Sequence, residues 1–274
     1  RMNTLYTSKN SSVKIGTALL AILLSSNLAF GQTTRNSTAH LGLVYPLSSH
    51  GVRATEYTNG FSLHAFAGVS GGEKTAAISG FTNLIRGNAS GLQLAGFSNH
   101  TADSTSGVQI GGFVNTSKAM DGAQLSGFVN AATYVKGVQL SGFVNQASDV
   151  KGAQIGGFVN IARRVTGAQF SGFVNVADSS DYPVGLLNFI KNGEKSIGLT
   201  VDETQTNILG LRTGGRVLYG VVGLGYNWKN RKEVYALEAG FGAHITVSRV
   251  LRINSEIVSA ILQEGGYAGC VSIE

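Results

Sequence analysis

The chain has 274 residues, of which 38 are glycine, 43% are hydrophobic and only 13% are charged. This composition excludes a disordered polar chain, because enough apolar surface is present to bury a core. The formal net charge is +6, but residues 1–31 hold Arg1, Lys9 and Lys14 and no acid, so 18 basic and 15 acidic residues (+3) remain beyond them. Without a clustered basic stripe, the sequence argues against nucleic-acid binding.

Residues 1–31 predict a secretory signal peptide. A basic start leads into an apolar run, 15–24, and then to the small residues Ala29 and Gly31, which a signal peptidase accepts. The alternative is a membrane anchor, but the run is shorter than the roughly 20 apolar residues that a span needs. Cys270 is the only cysteine, so neither an internal disulfide nor a lipid-anchored lipoprotein is predicted. We expect an exported protein.

Residues 32–75 predict two strands joined by a surface loop. The apolar stretch 41–47 indicates a short strand that stops near Pro46, and 61–69 indicates a second one. Residues 48–60, between them, are polar and have glycine near both ends, which favours a loop.

Residues 76–190 form a repeat region with a step of 15 or 16 residues. The consensus is Gly-[Ala/Val]-Gln-[Leu/Ile]-[Ser/Gly]-Gly-Phe-Val-Asn, followed by about six variable residues that include an apolar one. Val138 and Leu140 alternate with Gln139 and Ser141, which is the period of a β-strand. The recurring residues, called the ladder residues, are Gln109, Gln124, Gln139, Gln154, Gln169, Phe113, Phe128, Phe143, Phe158, Phe173, Asn115, Asn130, Asn145, Asn160 and Asn175.

One strand and turn per copy fits two all-β architectures. In a parallel β-solenoid each copy is one coil, stacked about 4.8 Å above the last, so identical residues form ladders. In one continuous antiparallel transmembrane β-barrel each copy is a wall strand. Odd and even copies do not alternate, and the last copy, 183–188, is shortened, which a corner tolerates better than a barrel strand. The solenoid is therefore the favoured prediction, and the barrel is the alternative.

Residues 191–274 predict antiparallel hairpins like those of outer-membrane barrels. A strand over 216–228, a charged turn over 229–233 and a return strand over 234–247 form the clearest hairpin. The return strand has one apolar face, formed by Tyr235, Leu237, Ala239, Phe241, Ala243 and Ile245. Outer-membrane strands show this pattern, and so does a soluble sheet with one wet face.

The repeat copies and their flanks resemble the surface-repeat proteins of Bacteroidetes and spirochaetes, which carry Gly-Val-Gln-Leu-x-Gly-x-x-Asn copies at this spacing. The likeness includes segments 57–63 and 67–72 before the repeats and 177–190, 214–220 and 235–243 after them. The resemblance implies an exported, envelope-associated protein. It supplies no catalytic residues.

No catalytic, cofactor or metal site is predicted. Residues 68–72 match the Gly-x-Ser-x-Gly pattern of a hydrolase nucleophile elbow, but that motif needs a helix after it, and a strand is predicted here. No dinucleotide or phosphate-binding motif is found. No metal-ligand spacing relates the five histidines, which are His40, His50, His64, His100 and His244. His244 is predicted to be solvated or to face a lumen.

The ladder amides allow two interpretations. They could bind a glycan through paired donors and acceptors, or they could hold the coils together, which is the favoured interpretation. We therefore expect an exported, non-enzymatic protein at the outer membrane or cell surface. Its repeats would form a structural or interaction surface, with envelope components as partners and with no nucleic acid or cofactor; a glycan or protein ligand stays open. The alternative is an outer-membrane pore whose lumen is lined by Gln139, Ser141 and Asn145.

Overall fold

The computed structural model describes residues 35–201, 203, 205–215, 217–228, 234–246 and 251–264. The predicted signal peptide, the predicted turn 229–233 and Cys270 lie outside these residues. The described chain consists of strands and one 3-10 helix, Gly51–Glu56.

The strands belong to two sheets. Sheet A holds seventeen strands: β1 (Arg35–Val44), β2 (Leu47–Ser48), β3 (Tyr57–Ser70), β4 (Gly72–Ser79), β5 (Thr82–Ile85), β6 (Ala89–Ala95), β7 (Ser98–Thr101), β8 (Ser104–Gly111), β9 (Val114–Ser126), β10 (Val129–Ser141), β11 (Val144–Gln146), β12 (Asp149–Gly156), β13 (Val159–Ile161), β14 (Arg164–Ser171), β15 (Val174–Ala177), β16 (Ser179–Val184) and β17 (Leu187–Ile190). Sheet B holds five strands: β18 (Glu194–Val201), β19 (Thr206–Gly214), β20 (Leu218–Asn227), β21 (Val234–Thr246) and β22 (Arg252–Glu264).

Neighbouring repeat copies pair in parallel and in register. On β8 and β9, Gln109 lies opposite Gln124, and on β9 and β10, Asn115 lies opposite Asn130. In an antiparallel barrel these neighbours would run in opposite directions. The repeats therefore form a parallel β-solenoid, as predicted, and the alternative of one continuous antiparallel barrel is wrong.

Most coils of the repeat region contain two strands, whereas the sequence predicts one; in β9 and β10 the two are joined into one continuous strand. In a typical coil, β12 and β13 are separated by a corner at Gly157 and Phe158. A Cβ on Gly157 would overlap the carbonyl oxygen of Gly142 in the coil before. The nine-residue consensus has the pattern of one strand, but it is bent at this corner. The coils stack so closely there that only glycine, which has no Cβ, fits.

The stack of coils begins upstream of the repeat copies. β1 pairs in parallel with β3, and β3 with β4, so the segment predicted as two strands joined by a loop consists of coils. β2 pairs antiparallel with the end of β1. The predicted loop 48–60 holds the 3-10 helix and the start of β3.

The shortened last copy loses its residues at two bends. Val165 pairs with Ser180 and Ala168 with Tyr182, so the coil is one residue shorter around Gly167, where φ is +126°. The corner 171–173 is matched by only two residues, 185–186. One deletion lies at the corner, as predicted, and the other lies at the bend near Gly167. Because both deletions lie at bends, the side chains of the strand residues before and after each bend keep their inward or outward directions.

Sheet B is an antiparallel meander that curls around its polar face. Its two edge strands would lie about 19 Å apart if five strands formed a flat sheet. Instead, Nη1 of Arg252 on β22 lies 2.8 Å from both carboxylate oxygens of Glu194 on β18. The antiparallel hairpin predicted from the sequence is confirmed by the pairing of β20 with β21.

Sheet B covers the C-terminal end of the solenoid. Asn188 of the last coil donates from its backbone N to Thr213 Oγ1 (2.9 Å) and from Nδ2 to Thr213 O (3.1 Å). A Cβ on Gly220 would overlap the carbonyl oxygens of Gly185 and Leu186. The last coil is thereby covered where an open sheet edge would otherwise face solvent.

We predict that Gly137→Ala lowers the free energy of unfolding by at least about 2 kcal/mol, measured by chemical denaturation. Gly137 has a φ of +130°, and a Cβ there would overlap the carbonyl oxygen of Gly122. The control is Gly210→Ala, whose Cβ would lie 3.5 Å from its nearest neighbour, Arg212 Nη1, and whose cost should stay within about 0.5 kcal/mol. Equal losses in the two variants would contradict this account.

Candidate interaction surface

The ladder amides are fully buried and hydrogen-bond from coil to coil. Every ladder Gln and Asn has an exposed fraction of 0%. Asn130 Nδ2 donates to Asn145 Oδ1 (3.0 Å) and to the carbonyl oxygen of Leu140 (2.7 Å). Gln139 Nε2 donates to Gln124 Oε1 (2.8 Å). Each amide is therefore paired with its own copy in the neighbouring coils, as buried polar groups require, except that Gln169 Oε1, at the end of the Gln ladder, has no partner among the described residues.

The same burial keeps the amides away from a glycan and leaves no room for a lumen. Gln139, Ser141 and Asn145 do face inward, but they share the interior with an apolar cluster. That cluster contains the apolar residues of the variable segments and is formed by Met120, Ala132, Val135, Ala147, Val150, Ala162 and Val165. The interior of the coils is packed with side chains, so the geometry of a pore lined by these three residues is not found.

The apolar side chains of the consensus face outward and form what we call the apolar ridge. It consists of three rows along the stack. The outer row is Ala39, Phe61, Ala76, Leu92, Val108, Ala123, Val138, Ala153, Ala168 and Tyr182. The middle row is Leu41, Leu63, Ile78, Leu94, Ile110, Leu125, Leu140, Ile155, Phe170 and Val184. The phenylalanine row is Phe66, Phe81, Phe97, Phe113, Phe128, Phe143, Phe158 and Phe173.

The rings of the phenylalanine row stack on one another. From Phe81 to Phe173 successive centroids are 4.7 to 5.1 Å apart, and the planes are within 8° of parallel. Such contacts add roughly 0.5–1.5 kcal/mol per pair beyond area burial. Each phenylalanine of the row is nevertheless more than a third exposed: Phe143 is 38% exposed, and Leu140 of the middle row is 42% exposed.

The ridge carries no charge, and charges occupy other positions of the coil. No Lys, Arg, Asp or Glu belongs to the three rows. In the variable segments Lys136 Nζ lies 2.9 Å from Asp121 Oδ2, and Lys191 pairs with Asp178. The solenoid is therefore amphipathic along its whole length.

A shallow groove runs beside the middle row. At its clearest point it is lined by Leu63, Ile78 and Leu94 and by the corner residues Gly80 and Gly96. The floor of the groove is bare backbone, because glycine has no side chain. Glycine is required at both positions, since a Cβ on either would overlap a carbonyl oxygen of the preceding coil. The ridge is thus corrugated, with rows of side chains beside a strip of bare backbone.

Sheet B presents a second apolar surface. Leu199, Leu209, Leu224, Leu237 and Ile261 lie opposite one another across all five strands. Their exposed fractions range from 45% for Ile261 to 71% for Leu199. We call these five residues the leucine row. The prediction that Tyr235, Leu237 and Phe241 share a face is confirmed, because all three are exposed and Ala236 is buried.

Ion pairs and hydrogen bonds fill the other face of sheet B. Arg212 binds Glu256 through two hydrogen bonds of 2.7 and 2.9 Å, which lower the pKa of Glu256, and Tyr219 Oη donates to the same carboxylate (2.8 Å). His244 stacks on Tyr219 (4.4 Å), and its Nδ1 lies 2.8 Å from Asn254 Oδ1. His244, predicted to be solvated or to face a lumen, lies on this face and contacts these two side chains.

The N-terminal coils hold a histidine cluster that the sequence spacing does not indicate. The ring of His40 stacks on that of His50 (4.5 Å) and meets that of His64 edge-on (4.5 Å). Asn59 links the cluster to Glu73, because its Nδ2 lies 3.4 Å from His40 Nδ1 and donates to Glu73 Oε1 at 3.1 Å. Both ring nitrogens of His64 lack a hydrogen-bond partner among the described residues.

Burial shifts the protonation of this cluster. It lowers the pKa of His40 to about 4, with help from the positive charge that His64 and His50 would carry. It also lowers the pKa of His64 and raises that of Glu73. In the residues that the structure describes, no three His, Cys, Asp or Glu side chains are placed to hold a metal ion.

The Gly-x-Ser-x-Gly segment lacks the geometry of a nucleophile elbow. β3 ends at Ser70 and β4 begins at Gly72, so a strand follows where the elbow needs a helix. Ser70 is buried.

No protein-family model, curated protein or solved structure matches this chain. Within the described ranges, no helix has the length and hydrophobicity to cross a membrane.

We predict that Asn145→Asp lowers the free energy of unfolding at pH 7 by at least about 3 kcal/mol. The carboxylate has nearly the same shape but donates neither to the carbonyl oxygen of Ile155 (2.8 Å) nor to Asn160 Oδ1 (3.0 Å). Chemical denaturation should also show the loss shrinking at lower pH as the buried carboxyl takes up a proton. The exposed Asn192→Asp is the matched control and should change little. A tolerated Asn145→Asp would contradict the role of the ladder.

We predict that the chain loses stability as the pH falls from about 6.5 towards 4. His40 and His64 have lowered pKa values in the folded state, so the unfolded chain binds more protons in this window. Glu73 acts in the opposite sense, because its raised pKa lets the folded state take up a proton first. Denaturation midpoints at several pH values should fall less in His40→Gln and more steeply in Glu73→Gln. Identical pH profiles for these two variants would refute the assignment.

Proposed function

We propose that this chain is an exported, non-enzymatic repeat protein that serves at the outer membrane or cell surface as a structural or interaction scaffold. The observation that carries the proposal is that the solenoid buries hydrogen-bonded amides in its interior and exposes uncharged apolar rows on its outside. Contiguous apolar patches beyond about 300–600 Å² are rare on soluble monomers unless they serve an interface. The predicted signal peptide and the resemblance to surface-repeat proteins support the same location.

Sheet B is the surface that we assign to lipid. The side chains of the leucine row project from the sheet, and Leu224 is 64% exposed. Tyr226, Trp228 and Tyr235 form an aromatic group at one end of this face, with ring centroids 4.9 and 5.5 Å apart. Tyrosine and tryptophan are enriched where apolar protein surface meets lipid headgroups. The ion pairs of sheet B lie on the opposite face, away from the proposed contact.

The absence of a catalytic role is part of the proposal. Ser70 is buried in a strand, and two members of the histidine cluster, His40 and His64, are buried as well. The partners that we propose are envelope lipids or proteins. A glycan or protein ligand would have to bind the outer surface, because the ladder amides are out of reach.

We predict that replacing Leu224 and Leu237 by Gln weakens binding to vesicles of phosphatidylethanolamine and phosphatidylglycerol by at least about tenfold. Each leucine contributes on the order of 1 kcal/mol when its exposed part leaves water. The measurement is flotation of the protein as recovered from the expressing cell. Because both side chains are more than half exposed, the unfolding midpoint should stay near that of the parent.

The matched control is Tyr134→Gln, which removes an exposed apolar side chain (55%) from the charged side of the solenoid. It should leave flotation unchanged. Equal binding by all three proteins would refute the assignment of sheet B to lipid. Recovery of the chain in the cytoplasm with its N-terminal segment uncleaved would refute the exported location.

A further inference from the structure

We propose that the apolar ridge of the solenoid is a self-association surface, on which two copies of this chain pack face to face as a twofold dimer. The inference deepens the proposed function and rests on it, because it names the partner of the apolar rows that support the interaction scaffold, whereas the proposed lipid contact belongs to sheet B.

The size of the ridge matches what a stable dimer buries. The outer and middle rows have ten members each, so nine steps of about 4.8 Å make the ridge roughly 43 Å long. Three rows on and beside one strand give a width of roughly 15 Å. Covering this area of about 650 Å² on each copy removes about 1,300 Å² in total, within the usual range of specific interfaces.

The spacing of the ridge points to a second copy in particular. Side chains repeat at one coil per step over the whole length, and a rigid partner stays in contact only if its own features have the same step. Another solenoid of this chain has that step by construction, so its side chains can fit between those of the ridge at every coil. Such interdigitation of regular rows resembles the dry interfaces between stacked sheets.

Symmetry places the middle row at the centre of the dimer. A twofold axis in the interface runs either along the rows or across them. In both cases the middle row of one copy faces the middle row of the other. Ile110 is the fifth of the ten residues in this row. With the axis along the rows it faces Ile110 of the other copy, and with the axis across the rows it faces the residue one coil further on.

The side chains of the ridge differ from those of sheet B in a way that favours protein over lipid. Ile110 and Leu140 are 37% and 42% exposed, so they are half sunk between neighbours in the stack. A recessed, corrugated surface buries most of its apolar area only against a partner of complementary shape. Lipid gains no advantage from the corrugation, and its binding to the ridge is the competing outcome of the test.

The test is the effect of Ile110→Glu on dimerisation of the protein as recovered from the expressing cell, in buffer without lipid or detergent. Sedimentation equilibrium should show a dimer for the parent and a dissociation constant at least about 100-fold higher for the variant, because two carboxylates are brought together at the centre of an apolar interface. Tyr134→Glu, on the charged side opposite Asp149 and Ala119, should dimerise like the parent.

A second measurement keeps the test independent of folding. Ile110→Cys should form a disulfide-linked dimer under mild oxidation more readily than Tyr134→Cys, with the parent chain, which has Cys270, as the background. A monomeric parent, a dimer insensitive to Ile110→Glu, or equal cross-linking of both cysteine variants would overturn the proposal. Loss of vesicle flotation in Ile110→Glu with a monomeric parent would assign the ridge to lipid instead.

Discussion

The hydrogen bond between stacked, buried amides is the interaction on which this structure depends. A buried Asn or Gln is unfavourable unless its donors and acceptor are paired. At the centre of a coil the nearest partners are the same amide in the coils on either side. Gln139 is satisfied by Gln124 and Gln154, and Asn145 by Asn130 and Asn160. A shift of one residue within a strand would break the pairing, so the amides fix the register of the stack. The bends absorb changes in repeat length, because the ladder stays intact over the 16-residue step from Asn83 to Asn99 and the 13-residue step from Asn175 to Asn188.

The apolar exterior follows from the polar interior. In a strand, side chains alternate between the two faces. Because Gln139 and Ser141 face inward, Val138 and Leu140 must face outward, and the same holds in every coil. The interior keeps enough hydrophobic contact through residues of the variable segment such as Val135 and Val150. The sequence thus replaces part of an ordinary hydrophobic core with buried amides and has an uncharged apolar outer face.

Sequence periodicity predicts the coils, their parallel stacking and the antiparallel hairpins of sheet B. The periodicity predicts that Val138 and Leu140 share one face of the strand. It does not predict that this face is exposed, because apolar and polar residues alternate in the same way whichever face is buried. It also misses the corner at Gly142 and Phe143, where Gly-Phe is a weak turn signal and the reason for the bend is contact with the next coil. The sequence does not predict the histidine cluster. His40, His50 and His64 are brought together by the N-terminal coils, whose sequences depart too far from the repeat consensus to be recognised as copies.

The two amide ladders point in opposite directions. Asn side chains donate towards the C-terminal end, from Asn83 to Asn188 and on to Thr213 O, whereas Gln side chains donate towards the N-terminal end, from Gln169 to Gln93. In an α-helix aligned peptide dipoles add up to partial charges at the two ends. Here the side-chain dipoles of the two columns oppose each other in every coil that carries both amides. Additional coils would therefore lengthen the stack without building up an electrostatic field at its ends, so these ladders set no electrostatic limit on how many copies of the repeat such a protein can carry.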